Sequence, residues 1–115
     1  MSPNPCMDLA NRYYDAFRNR GDFGEVPMAD DLEFRSPMMN LDGAVAFRQA
    51  LGGLMARFQG IEVRHQARDG DDVLTVYDFD MGAGPVPMAE VLRIADGRIK
   101  AVELLFDPAR MAPPE

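Results

Sequence analysis

MAEVLRIADGRIKAVELLFD, residues 88–107, is the most informative stretch of this sequence. Both halves read as β-strands, because apolar residues alternate with polar or small ones. Between the halves stands Asp96-Gly97, a pair that favours the two-residue turn of a β-hairpin. We therefore predict antiparallel strands over residues 86–95 and about 98–106.

One carboxylate in this stretch lies on an apolar strand face. Because successive side chains of a strand point to opposite faces, Glu90 falls on one face and Arg93 on the other. The face of Glu90 is otherwise apolar and carries Val86, Met88, Leu92 and Ile94. A carboxylate among apolar neighbours costs free energy unless it is paired, protonated or functional. Glu90 therefore predicts a pocket that contains one or a few polar groups.

The rest of the chain reads as helices followed by strands. The first helix is predicted to begin at Asp8, a favourable capping residue, and to end at Gly21. The longest helix is predicted to begin at Asp42-Gly43 and to run to about Gln59. The other predicted elements are a short helix over 22–28 and strands over 32–35, 61–68 and 73–81. Helices first and an antiparallel four-strand meander later indicate an α+β fold, with helices covering one face of a curved sheet.

Composition limits the class of protein. The 115 residues fit a single domain over 1–115, with an ordered core over about 8–108 and a loose, proline-rich tail over 109–115. Twelve basic and nineteen acidic residues give a net charge of −7. Because phosphates attract lysine and arginine, we expect neither nucleic acid nor a membrane as a partner. The sequence shows no secretory signal and no apolar run that could span a membrane, so we expect a cytoplasmic protein.

Residues that ligate metals are few. Cys6 is the only cysteine, so an internal disulfide and a cysteine-based metal site are excluded. The nearest approach to a metal site is the set Asp78, Asp80 and His65. Alternate residues on a strand lie about 6.5–7 Å apart, which is too far for easy chelation of one small ion. We expect neither a metal nor an organic cofactor.

Three segments carry a resemblance to a known fold family. They are RYYDAFRNRGD (12–22), ADDLEFRSP (29–37) and PMAEVLRIADGRIKAVELLFD (87–107). Together they resemble the nuclear-transport-factor-2-like superfamily, which includes ketosteroid isomerases, SnoaL-like cyclases and limonene epoxide hydrolases. The resemblance implies a cone-shaped, cystatin-like fold: a curved antiparallel sheet wrapped on a long helix, with an N-terminal helix, enclosing a cavity. It implies the fold more strongly than the function, because this fold hosts many chemistries.

The resemblance also implies roles for particular residues. Ketosteroid isomerases hold a ligand oxyanion with a first-helix tyrosine and a protonated aspartic acid on a late strand. The matching positions here hold Tyr14 and Glu90. The general base of that family is an aspartate just before a proline, and this position holds Ser36, before Pro37. Since an unactivated serine cannot take a proton from carbon, the usual base is missing.

Two other residues are candidates for moving a proton. Resemblance to SnoaL-like relatives turns Asp78 toward the cavity, whereas alternation groups Tyr77 and Phe79 on the apolar side and leaves Asp78 outside. Both interpretations stay open, and a strand covered on both faces would satisfy both. His65 is the only histidine, and alternation places it on the apolar face of its strand. Its ordinary pKa near neutrality suits a proton carrier.

The remaining candidates are those predicted to contact a ligand. They are Ser36, Met38, Phe58, Met88, Val102, Leu104 and Phe106. Methionine fills adaptable apolar surfaces, which fits a small, mostly apolar or cyclic ligand that bears a carbonyl group.

Three functions are compatible with these residues. The first is an isomerase, cyclase or dehydratase in which Tyr14 and Glu90 stabilise charge on the ligand oxygen while Asp78 or His65 moves the proton. The second is a binding module that uses the same cavity without catalysis. The third is a homodimeric interaction domain formed through the outer face of the sheet, with Tyr77, Phe79 and the surroundings of Val91 as the predicted surface.

Overall fold

The computed structural model describes residues 4–19 and 21–111. Its elements are α1 (Pro5–Arg18), β1 (Met28–Arg35), β2 (Asn40–Asp42), α2 (Ala44–Met55), β3 (Gly60–Asp69), β4 (Asp72–Asp80), β5 (Pro85–Ala95) and β6 (Arg98–Leu105). Short 3₁₀ helices span Phe23–Glu25 and Pro108–Met111. The predicted short helix over 22–28 is thus reduced to one 3₁₀ turn. The second 3₁₀ helix occupies the start of the predicted loose tail, whose residues 112–115 lie outside the described residues.

The six strands form one curved sheet in the order β2-β1-β6-β5-β4-β3. Neighbouring strands run antiparallel, except that β1 and β6 are parallel. Strands β3 to β6 therefore form the predicted four-strand meander, and the α+β fold class is confirmed. The hairpin turn is also confirmed, because Asp96 (φ 54°) and Gly97 (φ 73°) both have the positive φ of a type I′ turn.

The first two strands differ from the prediction. The predicted strand over 32–35 is only the second half of β1, and β2 was not predicted. The pairing of β1 with β6 shifts register between Met28 and Glu33, so the alternation that indicates a strand is interrupted there. Strand β2 has three residues, which is too short for a periodic signal.

The first helix begins earlier than predicted. The side chain of Asn4 accepts hydrogen bonds from the backbone N–H groups of Cys6 (2.9 Å) and Met7 (3.1 Å). Pro5, whose missing N–H costs nothing at the start of a helix, follows this cap. The predicted start at Asp8 is wrong because Asp8 lies within the first turn, where its charge favours the positive end of the helix dipole.

The second helix is shorter than predicted. It spans 12 residues against 14 in α1, so the element predicted as the longest helix is the shorter of the two. It ends at Met55, and Phe58 lies in the connection to β3. A Cβ atom added to Gly52 or Gly53 would meet nothing within 4 Å. Close packing on the sheet therefore does not account for this glycine pair.

Both helices cover the same side of the sheet, which we call the inner face. Its buried residues form one apolar core with the helices, and the rings of Tyr13 from α1 and Phe47 from α2 stack with centroids 6.4 Å apart. The opposite side, the outer face, exposes Leu74, Val76 and Leu105. This division positions the site, because side chains of the inner face meet the helices. Within the described residues, no helix is long and apolar enough to cross a membrane.

Candidate functional site

The inner face of the sheet and the two helices enclose a cavity of about 240 Å³. Its lining residues are Tyr13, Phe17, Phe34, Ser36, Met38, Met39, Phe47, Ala50, Leu51, Leu54, Arg57, Tyr77, Phe79, Met81, Met88, Glu90, Leu104 and Phe106. Most of these side chains are apolar. The deep end holds the buried Tyr77 and Glu90, and the mouth holds the exposed Met38 and Arg57. An apolar cavity with few convergent polar groups is typical of a small-molecule site.

The polar centre of the cavity is Glu90, which is 3% exposed. The hydroxyl of Tyr14 donates a hydrogen bond to Glu90 Oε1 at 2.9 Å, and the hydroxyl of Tyr77 donates to the same oxygen at 3.3 Å. Within the described residues, no hydrogen bond is recorded to Oε2. Since Glu90 lines the cavity, Oε2 is the carboxyl oxygen left for a ligand.

Strand register brings this group together. Thr75 on β4 pairs with Glu90 on β5, and two residues along β4 Tyr77 pairs with Met88. The side chains of Thr75, Tyr77 and Glu90 therefore project from the same inner face. Tyr14 reaches Glu90 from α1, which packs against that face, and the rings of Tyr14 and Tyr77 lie 5.4 Å apart. We call Tyr14, Thr75, Tyr77 and Glu90 the Glu90 cluster.

The environment of Glu90 favours the protonated carboxyl. The pKa of Glu90 is raised from its ordinary value of 4.5 to about 7, because the effect of burial exceeds the opposing effect of the hydrogen bonds from Tyr14 and Tyr77. Burial and the nearby Glu90 carboxylate raise the pKa of both phenols, so the tyrosines stay protonated and donate. A carboxyl group with a pKa near neutrality can hold a proton and donate it to a ligand oxygen.

Thr75 is the most deeply buried aliphatic hydroxyl beside Glu90. It is 1% exposed, and its hydroxyl accepts a hydrogen bond from Gln66 Nε2 at 3.3 Å. A hydrogen bond with the Thr75 hydroxyl also lowers the pKa of Tyr14, against the effect of burial.

His65 lies outside the cavity, so its predicted place on the apolar face is wrong. The pairing of β3 with β4 runs from Val63–Tyr77 directly to His65–Val76. Arg64 is thus an extra residue, a β-bulge, and every side chain after it changes face. His65 is exposed on the outer face, while Gln66 faces the Glu90 cluster in its place.

Asp78 also lies on the outer face. Residue alternation predicted this position, whereas the resemblance to SnoaL-like relatives predicted that Asp78 faces the cavity. Its neighbours on either side, Tyr77 and Phe79, are buried in the core. Asp78 accepts a hydrogen bond from Arg64 at 3.3 Å in an ion pair. The cavity therefore receives neither of the two residues predicted to move a proton. Because Tyr77 and Phe79 face inward, the surface predicted from them for a homodimer is wrong as well.

The predicted ligand contacts are divided between cavity and core. Ser36, Met38, Met88, Leu104 and Phe106 line the cavity. Val102 and Phe58 are buried in the core and are not among its lining residues. Phe58 packs its ring against Phe17 and Phe79 instead.

Ser36, at the position of the family's general base, is engaged by its own turn. Its Oγ donates a hydrogen bond to the carbonyl of Met39 at 2.8 Å and accepts from the N–H groups of Met38 and Met39. The hydroxyl therefore stabilises the turn between β1 and β2.

Several lining residues were missed by the sequence reasoning. The place of Tyr77 in the cavity lining could have been predicted, because alternation along β4 already grouped Tyr77 with the apolar side. Tyr13 lies one residue before Tyr14, and on a helix both can reach the same core. Arg57 follows the end of α2, and beyond the end of a helix its periodicity no longer predicts which way a side chain points. Among the described residues, no three histidine, cysteine, aspartate or glutamate side chains lie close enough to hold a metal ion.

Removal of either phenol hydroxyl tests the Glu90 cluster. We expect Tyr14→Phe and Tyr77→Phe each to raise the pKa of Glu90 above that of the wild type, because each removes a hydrogen bond that favours the carboxylate. The measurement is a ¹³C NMR titration of the glutamate side-chain carboxyl carbons. A tyrosine outside the cluster, changed as Tyr13→Phe, is the matched control. An unchanged Glu90 pKa in both cluster variants would contradict the geometry.

The sequence matches a family model, and the structure superposes on solved structures of other proteins. A family model described as a SnoaL-like domain matches residues 10–102. An NTF2-like protein of unknown function from Cytophaga hutchinsonii superposes with a TM-score of 0.85 at 19% identity, with 96% of each chain covered. No curated protein matches the sequence.

Two further solved structures are of proteins named as enzymes. A steroid delta-isomerase from Pseudomonas aeruginosa has a TM-score of 0.76 at 20% identity, covering 92% of this chain and 82% of that one. An LEH-like epoxide hydrolase from M. tuberculosis has a TM-score of 0.75 at 21% identity, covering 93% and 86%. At these identities the likeness shows the fold alone.

Proposed function

Because the chain belongs to the SnoaL-like domain family, we propose that its cavity binds a small, mostly apolar ligand that bears a carbonyl group. In its protonated form, Glu90 donates a hydrogen bond from the deep end to the ligand oxygen. The observation that carries this proposal is the pair of tyrosine hydroxyls that converge on Glu90 Oε1. They fix the carboxyl group and leave Oε2 for the ligand. Two structural neighbours are named as a steroid delta-isomerase and an epoxide hydrolase, and these names support a small molecule as the ligand.

The dimensions of the cavity favour a compact ligand. A volume of about 240 Å³ lies below the range of about 300–1,000 Å³ that is usual for drug-sized ligands. Phe34, Phe47 and Met88 contribute apolar walls, which suit a ring or a short hydrocarbon body. We therefore propose a ligand of one or two rings rather than a four-ring steroid.

A second candidate function is proton transfer on the bound ligand, as in an isomerase, a cyclase or a dehydratase. Since His65 and Asp78 lie outside, Glu90 carries the only carboxyl group among the described cavity-lining residues. A pKa of about 7 for Glu90 is close to the ideal value for a general acid or base at neutral pH. In a keto–enol isomerisation, the Glu90 carboxylate would take a proton from carbon and return it elsewhere on the ligand.

A thermal-shift titration with one- and two-ring ketones tests the proposed function. We expect a binding ketone to raise the melting temperature of the wild type by mass action. Glu90→Ala removes the donor and should weaken binding about tenfold or more, as loss of a buried hydrogen bond to a charged or acidic group does. Asp78→Ala deletes a carboxyl group from the outer face and is the matched control.

Glu90→Gln separates binding from catalysis. The amide can still donate a hydrogen bond but cannot exchange a proton, so we expect this variant to bind ketones and to lack turnover. If Glu90→Ala binds as the wild type does, the proposed function is wrong. If Glu90→Gln turns over as the wild type does, proton transfer by Glu90 is wrong.

The predicted homodimer remains a proposal, with its surface moved to other residues. The outer face exposes Leu74, Val76 and Leu105 on β4 and β6, and Ala89 on β5 lies between the last two. Two copies that join these faces would bury apolar side chains now open to water. Size-exclusion chromatography with light scattering should give twice the mass of 12.8 kDa for the wild type and a monomer for Leu105→Asp. A monomeric wild type at working concentration would remove this proposal.

A cytoplasmic location and the lack of nucleic acid or membrane partners also stay predictions.

A further inference from the structure

Arg57 is the only cationic side chain among the described residues that line the cavity. We infer that the ligand is a monoanion: a compound of one or two rings with a carbonyl oxygen at one end and a carboxylate at the other. The carboxylate binds Arg57 at the mouth while the carbonyl oxygen accepts from Glu90 at the deep end. This inference rests on the proposed function and names the ligand class of the same cavity.

The first observation is that no carboxylate in the described part of the chain pairs with Arg57. The three recorded ion pairs are Arg18–Asp15, Arg35–Asp42 and Arg64–Asp78. The only hydrogen bond of Arg57 in this part of the chain is made by its backbone N–H, which donates to the carbonyl of Leu54 at 3.1 Å. Its guanidinium group is therefore open to a ligand carboxylate.

The second observation is the distribution of polarity along the cavity. Arg57 is exposed, whereas Glu90 is 3% exposed. A ligand carboxylate at the mouth keeps part of its hydration, so it avoids most of the cost of burying a charge. At the deep end the same carboxylate would lose its water and would face the carboxyl group of Glu90. The polar groups thus admit one orientation, with the charged end outward.

The third observation is the apolar surface between the two ends. Phe47, Leu51 and Leu54 of α2 line the cavity together with Arg57, so the arginine stands at the end of an apolar wall. A ring body in contact with this wall would carry its acidic group to the guanidinium. Arginine suits this role, because its planar group binds a carboxylate through two parallel hydrogen bonds.

Isothermal titration calorimetry with two matched probes tests the inference. The probes are a tetralone carboxylic acid, with ketone and carboxylate on opposite rings, and its methyl ester. At about pH 6 the aryl carboxylate is ionised, while the Glu90 carboxyl remains mostly protonated. We expect the wild type to bind the acid about tenfold more tightly than the ester, and Arg57→Gln to abolish this preference. Arg98→Gln removes the same charge from an exposed position outside the cavity and should preserve it.

The outcomes distinguish the two proposals. Equal affinity of the wild type for acid and ester, or equal effects of Arg57→Gln and Arg98→Gln, would overturn the anionic ligand class. Binding of the ester reports on the proposed function separately, because it does not require Arg57. If the ester fails to bind, or binds Glu90→Ala as well as it binds the wild type, the proposed function is overturned instead.

Discussion

The contribution of Glu90 to the free energy of unfolding is expected to fall by roughly 3 kcal/mol as the pH rises from about 4.5 to about 7. Glu90→Gln is expected to remove this contribution. The cause is the pKa of Glu90, which burial raises from 4.5 to about 7 in the folded protein. Between these values the folded state holds a proton that the unfolded state has released. Stability therefore falls with rising pH in this window.

The sign of the effect separates Glu90 from the surface carboxylates. A carboxylate stabilised by an ion pair in the folded state contributes stability that is lost as the pH decreases, which is the opposite direction. The contribution of Glu90 is fully present below the unfolded pKa and is lost as the pH rises through the folded pKa. Urea denaturation of the wild type and Glu90→Gln at several pH values measures the difference. Asp78→Asn, which neutralises an outer-face carboxylate, is the control.

A stability difference between wild type and Glu90→Gln that does not change with pH would contradict the raised pKa. The amide of Glu90→Gln keeps an oxygen that can accept from Tyr14 and Tyr77, so the variant preserves the geometry of the Glu90 cluster. The comparison therefore reports on the proton rather than on packing.

Phe17→Ala is expected to cost about 3–5 kcal/mol of unfolding free energy, as removal of a buried aromatic ring usually does. The side chain is 3% exposed. Its ring lies 4.9 Å from the ring of Phe23, 5.3 Å from Tyr13 and 5.6 Å from Phe79. Phe17 thus joins α1, the first 3₁₀ helix and β4 at the wall of the cavity. Its removal leaves a void that these rings cannot fill without moving.

Phe106→Ala provides the matched comparison. Phe106 also lines the cavity but is only half-buried. Its side chain therefore buries less apolar area on folding, and its removal should lower the free energy of unfolding clearly less than Phe17→Ala does. The measurement is the urea midpoint of each variant with the slope unchanged. Equal losses for the two variants would contradict the difference in burial between Phe17 and Phe106.

Residue alternation predicted the site where the strands are regular. Strand β4 pairs without interruption with Pro85 to Arg93 of β5, so Glu90 and Met88 fall on the inner face, as alternation along β5 predicted. The same count along β4 placed Asp78 outside, and the structure agrees. The resemblance to SnoaL-like relatives turned Asp78 inward because an alignment by sequence similarity carries no information on which face a side chain occupies.

The wrong or missing predictions concern residues whose placement depends on strand pairing, hydrogen bonds or helix ends. The hydrophobic pattern of the sequence does not contain this information. The bulge at Arg64 moves His65 to the outer face, and a single extra residue leaves no trace in the periodicity of one strand. The start of α1 depends on two hydrogen bonds to the Asn4 side chain, which competes with Asp8 as a cap in the sequence. The position of Arg57 depends on where α2 ends, and helix boundaries are the least certain feature of a sequence-based prediction.

Glu90 is proposed as a buried carboxyl group that, when protonated, donates a hydrogen bond to the ligand oxygen. The most direct measurement is a pH titration of its side-chain carboxyl carbon by ¹³C NMR, assigned with Glu90→Gln and repeated with a bound ketone. We expect a midpoint near 7 in the free protein and a higher midpoint in the complex, because the ketone binds the protonated form. A midpoint near the ordinary value of 4.5, unchanged by the ketone, would contradict it.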